Sequence, residues 1–510
     1  MSISRIIASK VELRSEIVDL MVTQFSLQKL FAETLYDNVV HSNIDQVIDD
    51  SYYFIEAPYI DKVYRDSYYS YFSSKLGNYK KDSIRLSIFK EEIKEEDFRN
   101  PDSLTDLQNR YLGFITLRPT TPQIIGRSII SPKALKVNNF LSIAGKFATT
   151  ANSIKFEVVG FPHSSQDTET ISCAETTLWA MMEYFGNKYP EYKPVLPSRI
   201  VEVLRIVSAE RQIPSKGLNI QQMAYALKEF GFGTRIYSLL EFGAIELKRL
   251  FATYIESGVP IIVAVDNRDK GGDVGHALLC IGHDRTAAAQ INALPLSAEP
   301  NPFIANEIAT KNISFFDNSD LDRNFVFVDD NLPAYPLNKF ATPTSHYPDA
   351  SWHNCDITYF IVPLYPKIYL EAYEARNFIK QVLFSLFTIA NNSEIFLRFY
   401  LASSRSYKHN IALNPTLQDD FKALILETEM PKFIWVAEIS NKALIQQPVP
   451  EATGLIIVDA TEANVSNVKP LILAIYNDEL ISFDYSIGDF SRKLLPLQKF
   501  SIFTDNLKGF

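Results

Sequence analysis

Two periods of hydrophobic and polar positions alternate along this chain. From Glu12 to about Asp50, apolar residues recur every three or four positions, which predicts amphipathic helix. Aromatic-rich stretches then follow, whose alternation and bounding Gly and Pro residues predict strands; they cover residues 52–72, 79–89 and 110–119. We therefore expect a mixed helical and strand region over residues 1–150.

The remaining pattern predicts two more regions. An apolar strand from Ile154 to Phe161 is followed by a Pro-His-Ser-Ser turn, and we place a domain boundary near residue 150. Helical patterns and strands alternate up to residue 365, and a second boundary precedes the helix predicted from Tyr369 to Phe387. The predicted domains are 1–150, 151–365 and 366–510, in an α+β protein.

The segment after Gln166 carries the strongest local signal. Its apolar residues follow helical spacing up to Gly186, and Ser172 is a favourable N-cap. Cys173 then lies in the first helical turn, where free N–H groups and the helix dipole favour a thiolate. A lone cysteine at such a position is more commonly a packed thiol, so its partners must decide. Cys280, among apolar neighbours, is assigned to the core.

A hairpin is predicted to supply the base. An apolar strand ending at Asp266 is followed by a glycine-containing loop and a second strand that begins Gly275-His276. His276 therefore starts an apolar strand next to a loop that allows close approach of a substrate. The nearby His283 follows a glycine and is assigned to a turn.

The third signal is an apolar strand that ends in Asp329 and Asp330. Strand alternation predicts that the two acids point to opposite faces, so only one can orient a histidine. Gln166, seven residues before Cys173, supplies an amide that can join the Cys173 N–H in stabilising an oxyanion. Together these residues follow the logic of an activated cysteine nucleophile.

Composition and charge narrow the function classes. The net charge of -10 argues against sequence-independent binding of nucleic acid. Three cysteines without a C-x-x-C pair predict neither a disulfide framework nor a zinc site, and we expect no metal or cofactor. The N-terminus lacks a signal-like apolar run, so we expect a cytoplasmic protein without membrane contact. Arg118 and Arg127 bracket a Pro-containing segment and are interpreted as ion-pair residues rather than as an anion site.

The order of these motifs resembles papain-like cysteine peptidases, and within them the bacterial, bacteriocin-processing double-glycine peptidases. The resemblance covers residues 166–365. It implies a papain-like domain in which the cysteine-bearing helix packs on an antiparallel sheet. It also implies that Gln166 is the oxyanion donor, Cys173 the nucleophile, His276 the base and Asp330 the orienting acid, with Asp329 at the position of the preceding small residue.

Two residues depart from that family pattern. Ala174 stands where the family usually has glycine, and Asn331 replaces the proline that follows the acid. The first change narrows the groove beside the thiol. The second leaves the choice between Asp329 and Asp330 open.

The expected function is hydrolysis of a peptide or isopeptide bond in a protein or peptide substrate, regulated by the flanking domains or by a protein partner. One alternative is a transglutaminase-like acyl transferase that uses the same triad. Another is a non-catalytic module that binds a peptide or partner. A third assigns the activity to the flanks, where the cluster Ser403–Lys408 could recognise an anion. The substrate, the oligomeric state and any trigger of activation are left open.

Overall fold

The protein has an α+β architecture, which confirms the expected fold class. The computed structural model describes residues 4–77, 79–415, 417–465, 469–484, 488–496 and 499–510. Three large sheets, almost entirely antiparallel, are packed against helices. Within the described part of the chain, no helix combines the length and the apolar composition needed to cross a bilayer.

The first sheet is built from the N-terminal region and has the strand order β1-β2-β3-β4-β5-β8-β7. The apolar face of α1 packs against β2 in the core shared with the next sheet. In chain order the elements are β1 (Ser4–Ser9), α1 (Leu13–Phe25), α2 (Lys29–Leu35), α3 (His41–Asp45), β2 (Ser51–Tyr59), α4 (Lys62–Ser70), β3 (Ser83–Lys90), α5 (Leu104–Arg110), β4 (Tyr111–Leu117), β5 (Ser128–Ile130), β6 (Phe140–Ser142), β7 (Gly145–Ala151) and β8 (Ile154–His163).

Helix α4 corrects the prediction of strand throughout residues 52–72. The side chain of Asp61 accepts a hydrogen bond from the backbone N–H of Tyr64 at 2.8 Å and so caps the helix. Val63, Tyr64 and Ser67 are buried on one face, at helical spacing. The aromatic composition of this stretch resembles that of strands, but the cap and the spacing of its buried residues determine a helix.

The second sheet has the strand order β14-β13-β11-β10-β15-β9. Helix α6 packs on the face that carries Leu279, and α9 packs on the face that carries Leu278. The elements are α6 (Cys173–Lys188), α7 (Pro197–Leu204), α8 (Ile220–Glu229), β9 (Gly233–Ser238), α9 (Leu239–Glu256), β10 (Ile261–Asp266), β11 (Gly275–Asp284), α10 (Ala288–Asn292), α11 (Pro302–Thr310), β12 (Ser314–Asp317), β13 (Asn324–Val328), β14 (Leu337–Lys339) and β15 (Asp356–Leu364).

The third sheet has the strand order β12-β16-β17-β19-β20-β21-β22, with β12 and β16 parallel. The predicted helix near residue 370 is present as α12. The elements are α12 (Ala372–Leu386), β16 (Glu394–Ser403), α13 (Ser404–Leu413), α14 (Asp419–Glu427), β17 (Phe433–Ser440), α15 (Lys442–Ile445), β18 (Glu451–Ala452), β19 (Gly454–Asp459), β20 (Leu471–Tyr476), β21 (Glu479–Asp484), β22 (Asp489–Leu494), β23 (Phe500–Ser501) and β24 (Lys508–Gly509).

The sheets exchange strands across the boundaries predicted near residues 150 and 365. Strand β8 pairs with β5 and β7, so the first sheet continues past residue 150. Strands β6 and β24, from the two flanking regions, pair with each other, and β6 also pairs with β11 of the second sheet. Strand β12 belongs to the third sheet although it precedes residue 365. The division into three domains therefore stays a prediction. Strand pairing across both predicted boundaries joins the three regions to one another.

Candidate active site

Cys173 is the first residue of α6, as predicted. Ser172 is the N-cap, and the side chain of Glu175 accepts a hydrogen bond from the Ser172 N–H at 3.1 Å, in a capping box. Cys173 is partly exposed, whereas Cys280 and Cys355 are buried. The predicted helix end at Gly186 is wrong, because α6 continues to Lys188.

Gly186 has a packing role instead of a capping role. A Cβ atom at this position would lie 2.2 Å from the backbone nitrogen of Pro194. The glycine therefore lets the following loop pass directly against α6. Its close contact explains why a glycine occurs inside a helix that continues beyond it.

The predicted hairpin places His276 beside the end of β13. Strands β10 and β11 are antiparallel neighbours, with His276 opposite Val265. Strand β13 lies on the other side of β11, with Leu279 opposite Val328. The chain that leaves β13 therefore runs towards His276, and both acids reach the imidazole. Three segments that are distant in sequence meet there because adjacent antiparallel strands bring opposite ends together.

Cys173, His276 and Asp329 form a continuous chain of contacts. The Nε2 atom of His276 faces Oδ1 of Asp329 at 3.2 Å. The Cys173 side chain lies close enough to the imidazole to contribute to the raised pKa of His276. Since Nε2 faces the carboxylate, Nδ1 is the ring nitrogen left for the sulfur. This is the connectivity of a nucleophile, a base and an orienting acid.

The expectation that the two acids point to opposite faces is wrong. Asp330 Oδ1 lies 3.4 Å from His276 Nε2, only slightly farther than Asp329. Strand β13 ends at Val328, so neither acid is in extended strand and the alternation does not reach them. Asp329, rather than Asp330, makes the hydrogen bond to the imidazole, which reverses the assignment implied by the family resemblance.

Four donors surround the buried Asp329 carboxylate. Oδ1 accepts from His276, from the hydroxyl of Tyr347 at 2.9 Å and from the backbone N–H of Asn331 at 3.0 Å. Oδ2 accepts from Nε2 of His346 at 3.1 Å. Although burial opposes ionisation, the charge and hydrogen bonds of His276, with those of His346 and Asn331, hold the pKa of Asp329 well below its usual range.

The same contacts favour a protonated imidazole. Burial alone would lower the pKa of His276, but the Asp329 carboxylate raises it well above the ordinary histidine value. The Cys173 side chain and Asp330 act in the same direction. The His276 ring therefore binds a proton more tightly than an unperturbed imidazole does.

Asp330 has a different environment from its neighbour. Both of its carboxylate oxygens are buried, and neither has a hydrogen-bond partner among the residues that the structure describes. Burial, and the nearby charge of Asp329, raise its pKa to about 7, against the attraction of His276. The ligand atoms of His276, Asp329 and Asp330 all lie within 4.8 Å of one another. Two carboxylates and an imidazole are a suitable donor set for a divalent cation such as zinc or manganese.

Gln166 reaches the triad indirectly. Its side-chain Nε2 donates to Oδ1 of Asn331 at 2.7 Å, and Asn331 Nδ2 donates to the Tyr347 hydroxyl at 3.1 Å. The residue that departs from the family pattern, Asn331, therefore connects the amide of Gln166 to the surroundings of Asp329. The amide retains a second N–H that this contact does not use.

The loop between Gln166 and Cys173 is rigidly held. The carboxylate of Asp167 accepts from the backbone N–H groups of Glu169, Thr170 and Ile171, at 3.0, 2.6 and 3.0 Å. Glu169 in turn forms an ion pair with Lys75 and accepts from the Tyr71 hydroxyl at 2.7 Å. The N-terminal region thus anchors the approach to the thiol.

Sequence reasoning missed the aromatic and histidine residues of the loop after β14. The rings of Tyr347 and Trp352 are stacked, with centroids 3.8 Å apart, and Trp352 meets His276 edge-on at 5.2 Å. Four of the seven histidines lie around this loop, since His163 bonds the Asp329 carbonyl and His353 bonds the Tyr347 carbonyl. The cluster Ser345-His346-Tyr347 before Trp352 was a signal available in the sequence.

The two predicted ion-pair arginines lie behind the site. Arg127 forms an ion pair with Glu183 of α6 at 2.8 Å, which confirms the prediction for that residue. Arg118 is buried and donates to the carbonyl oxygen of Ser165 at 2.6 Å. Both arginines fix the position of α6 and of the loop before Gln166.

Comparison with known proteins adds no further assignment. No protein-family model matches the chain, and a search of curated proteins found no significant relative.

Proposed function

We propose that the protein is a cysteine hydrolase of the papain-like type that cleaves a peptide or isopeptide bond. The observation that supports this most strongly is the contact chain from the partly exposed Cys173 through His276 to Asp329. It unites a partly exposed cysteine, a base and a buried acid drawn from three separate elements. The same proposal includes regulation by the flanking domains or by a protein partner. It also includes a cytoplasmic location in a bacterium.

The reaction follows from the positions of these groups. His276 takes the thiol proton, and the Cys173 sulfur attacks the carbonyl carbon of the scissile bond. The Cys173 N–H and the amide of Gln166 donate to the resulting oxyanion. His276 then gives its proton to the departing amine as the C–N bond breaks, which leaves a thioester. Water, deprotonated by His276, hydrolyses the thioester and restores the thiol.

Asp329 is the orienting residue in this scheme. It holds the imidazole by Nε2 and stabilises the imidazolium that forms during each proton transfer. Four donors fix the carboxylate itself, so the ring is prevented from rotating away from the sulfur. Asp330 sits at ion-pair distance and adds charge when it is ionised.

The test is covalent labelling of the full-length chain with iodoacetamide, mapped by mass spectrometry, followed by hydrolysis of a peptide library. We expect selective modification at Cys173 and peptide cleavage that is lost in Cys173→Ala. Cys355→Ala is the matched control, because that thiol is buried, and it should retain both. Undiminished labelling and cleavage by Cys173→Ala would contradict the proposal.

The same experiment distinguishes two alternatives. Acyl transfer shares the chemistry up to the thioester, so adding a primary amine and finding its mass on the product would favour a transferase. A chain that is labelled at Cys173 but cleaves nothing and transfers nothing would favour a non-catalytic peptide-binding module.

The second candidate function is metal-assisted hydrolysis at His276, Asp329 and Asp330. It is favoured by the two buried oxygens of Asp330, which accept no hydrogen bond within the described part of the chain. Such a site would supply a metal-activated water in place of the thiolate. Cleavage that disappears with EDTA, returns with zinc and survives Cys173→Ala would favour this candidate over the thiol mechanism.

A further inference from the structure

A cavity lies at the opposite end of α6 from the thiol. It has a volume of about 430 Å³, within the range of small-molecule sites, and is bounded by α6, the end of β15, α13 and the C-terminal segment. Lys188 ends α6, so a rise of about 1.5 Å per residue places it roughly 22 Å from Cys173. Neither Cys173 nor His276 lines this cavity. It is therefore separate from the candidate active site.

Several aromatic side chains line the cavity. Tyr189, Tyr192, Tyr365 and Phe433 all contribute to it. Flat rings from several directions provide apolar area for a planar ligand, and tyrosine hydroxyls leave polar edges. Ser403 and Ser406 add hydroxyl donors to the wall. Both belong to the cluster Ser403–Lys408, which the sequence indicated as a segment that could recognise an anion.

Two lysines in this wall have no acidic partner within the described ranges of the chain. Lys188 donates to the Tyr184 hydroxyl at 2.7 Å and lies over the Tyr189 ring at 5.3 Å. Among the residues that the structure describes, neither Lys188 nor Lys508 forms an ion pair with a carboxylate. Desolvation of the ammonium group lowers the pKa of Lys188 to about 8, and the charge of Lys508 acts in the same direction.

The acids of the cavity have other partners. Glu191 pairs with Lys432 at 2.8 Å, and Asp505 accepts from Asn410 at 3.1 Å. Lys188 and Lys508 both line the cavity, and the charge of Lys508 opposes protonation of Lys188, so the two lysines repel each other. An anionic group between them would relieve that repulsion and gain charge-assisted hydrogen bonds.

We propose that this cavity is a binding site for a small organic anion with a planar apolar body, such as an aromatic carboxylate, sulfonate or phosphate. The anionic group lies between Lys188 and Lys508, and the ring system packs among Tyr189, Tyr365 and Phe433. The proposal is independent of the chemistry at Cys173.

The test is a fluorescence titration of the full-length protein with 8-anilinonaphthalene-1-sulfonate, a planar aromatic anion. We expect saturable one-to-one binding, weakened about tenfold in Lys188→Met and in Lys508→Met. Lys188→Arg keeps the charge and should stay within about threefold of the wild type. Ser406→Trp, which occupies the cavity but keeps both lysines, should also weaken binding.

Lys155→Met is the matched control, because Lys155 is an exposed lysine on β8, remote from the cavity. It should bind the probe as the wild type does. Near-ultraviolet circular dichroism establishes that each variant keeps its fold before it is compared. Equal affinities for the wild type, Lys188→Met and Lys508→Met would overturn the proposal. Absence of saturable binding to the wild type would also overturn it.

Discussion

Strand β11 carries two histidines in contact with buried carboxylates, and their surroundings differ in one decisive respect. His276 lies between Asp329 and the Cys173 thiol. His283 faces Oε2 of Glu256 at 3.1 Å, and the same carboxylate pairs with two arginines. A buried histidine-carboxylate pair is therefore not by itself a catalytic signature. The third group decides, because a thiol can exchange a proton with the ring and an arginine cannot.

The Glu256 cluster has the character of a structural joint. Arg323 and Arg398 reach the carboxylate at 3.0 and 2.6 Å, and all three groups are buried. Burial opposes ionisation, but these arginines hold the pKa of Glu256 well below its usual range. Arg398 also pairs with Glu438 of β17 at 2.7 Å. The cluster therefore connects the end of α9, which packs on the second sheet, to strands β16 and β17 of the third sheet.

The largest expected effect is the difference between the two histidines in how much their loss slows the reactions of Cys173. His276→Ala should slow iodoacetamide labelling of Cys173 and any peptide hydrolysis by about 10²–10⁴, because the base is lost. His283→Ala should change either rate by less than about threefold. Rates at pH 7 from mass spectrometry check both variants. Similar losses in both would remove the distinction drawn here.

For stability the order should be reversed: loss of the Glu256 charge should lower the free energy of unfolding more than loss of the Asp329 charge. Glu256→Gln should lower the free energy of unfolding by about 3–5 kcal/mol, since two buried arginines lose their counter-charge and cannot deprotonate. Asp329→Asn should cost less, because the imidazole of His276, unlike an arginine, can release its proton. Urea unfolding at pH 8, followed by circular dichroism, measures both. A larger loss for Asp329→Asn would contradict this interpretation.

Asp330 should make the free energy of unfolding depend on pH, with less stability at higher pH. Its pKa of about 7 in the folded protein exceeds the value of 3.8 for an unperturbed carboxyl, so the folded state binds more protons between those values. Stability from this group therefore falls as pH rises from about 4 to about 7. Asp330→Asn should be more stable than the wild type at pH 8, by about 1–3 kcal/mol, and this advantage should shrink towards pH 5. Thermal unfolding at both pH values checks it, and a constant difference would contradict the assignment.

The smallest expected effect concerns the support of Asp329. Tyr347→Phe removes the hydroxyl that donates to the carboxylate at 2.9 Å but keeps the ring stacked on Trp352. We expect about a fivefold slower labelling of Cys173, because one hydrogen bond to the carboxylate is lost while the other three donors remain. Tyr237→Phe, which removes a buried tyrosine hydroxyl elsewhere, should leave the labelling rate unchanged. Equal rates for Tyr347→Phe and the wild type would show that the remaining donors suffice.

The sequence by itself determined the local elements that carry the candidate site. A capping Ser172 before a helical pattern placed Cys173 at the start of α6, and an apolar hairpin placed His276 at the start of β11. An apolar run also predicted β13 directly before the acids. These features depend on capping and on hydrophobic period, which act between residues close in the chain.

Only the tertiary structure decided which side chains meet. Asp329 rather than Asp330 bonds His276, because the chain leaves the strand geometry at Val328 and four donors converge on one carboxylate. His283, assigned to a turn, is buried in β11 beside Glu256. Both outcomes depend on contacts between residues far apart in sequence. The local residue pattern around Asp329 or His283 cannot predict such contacts.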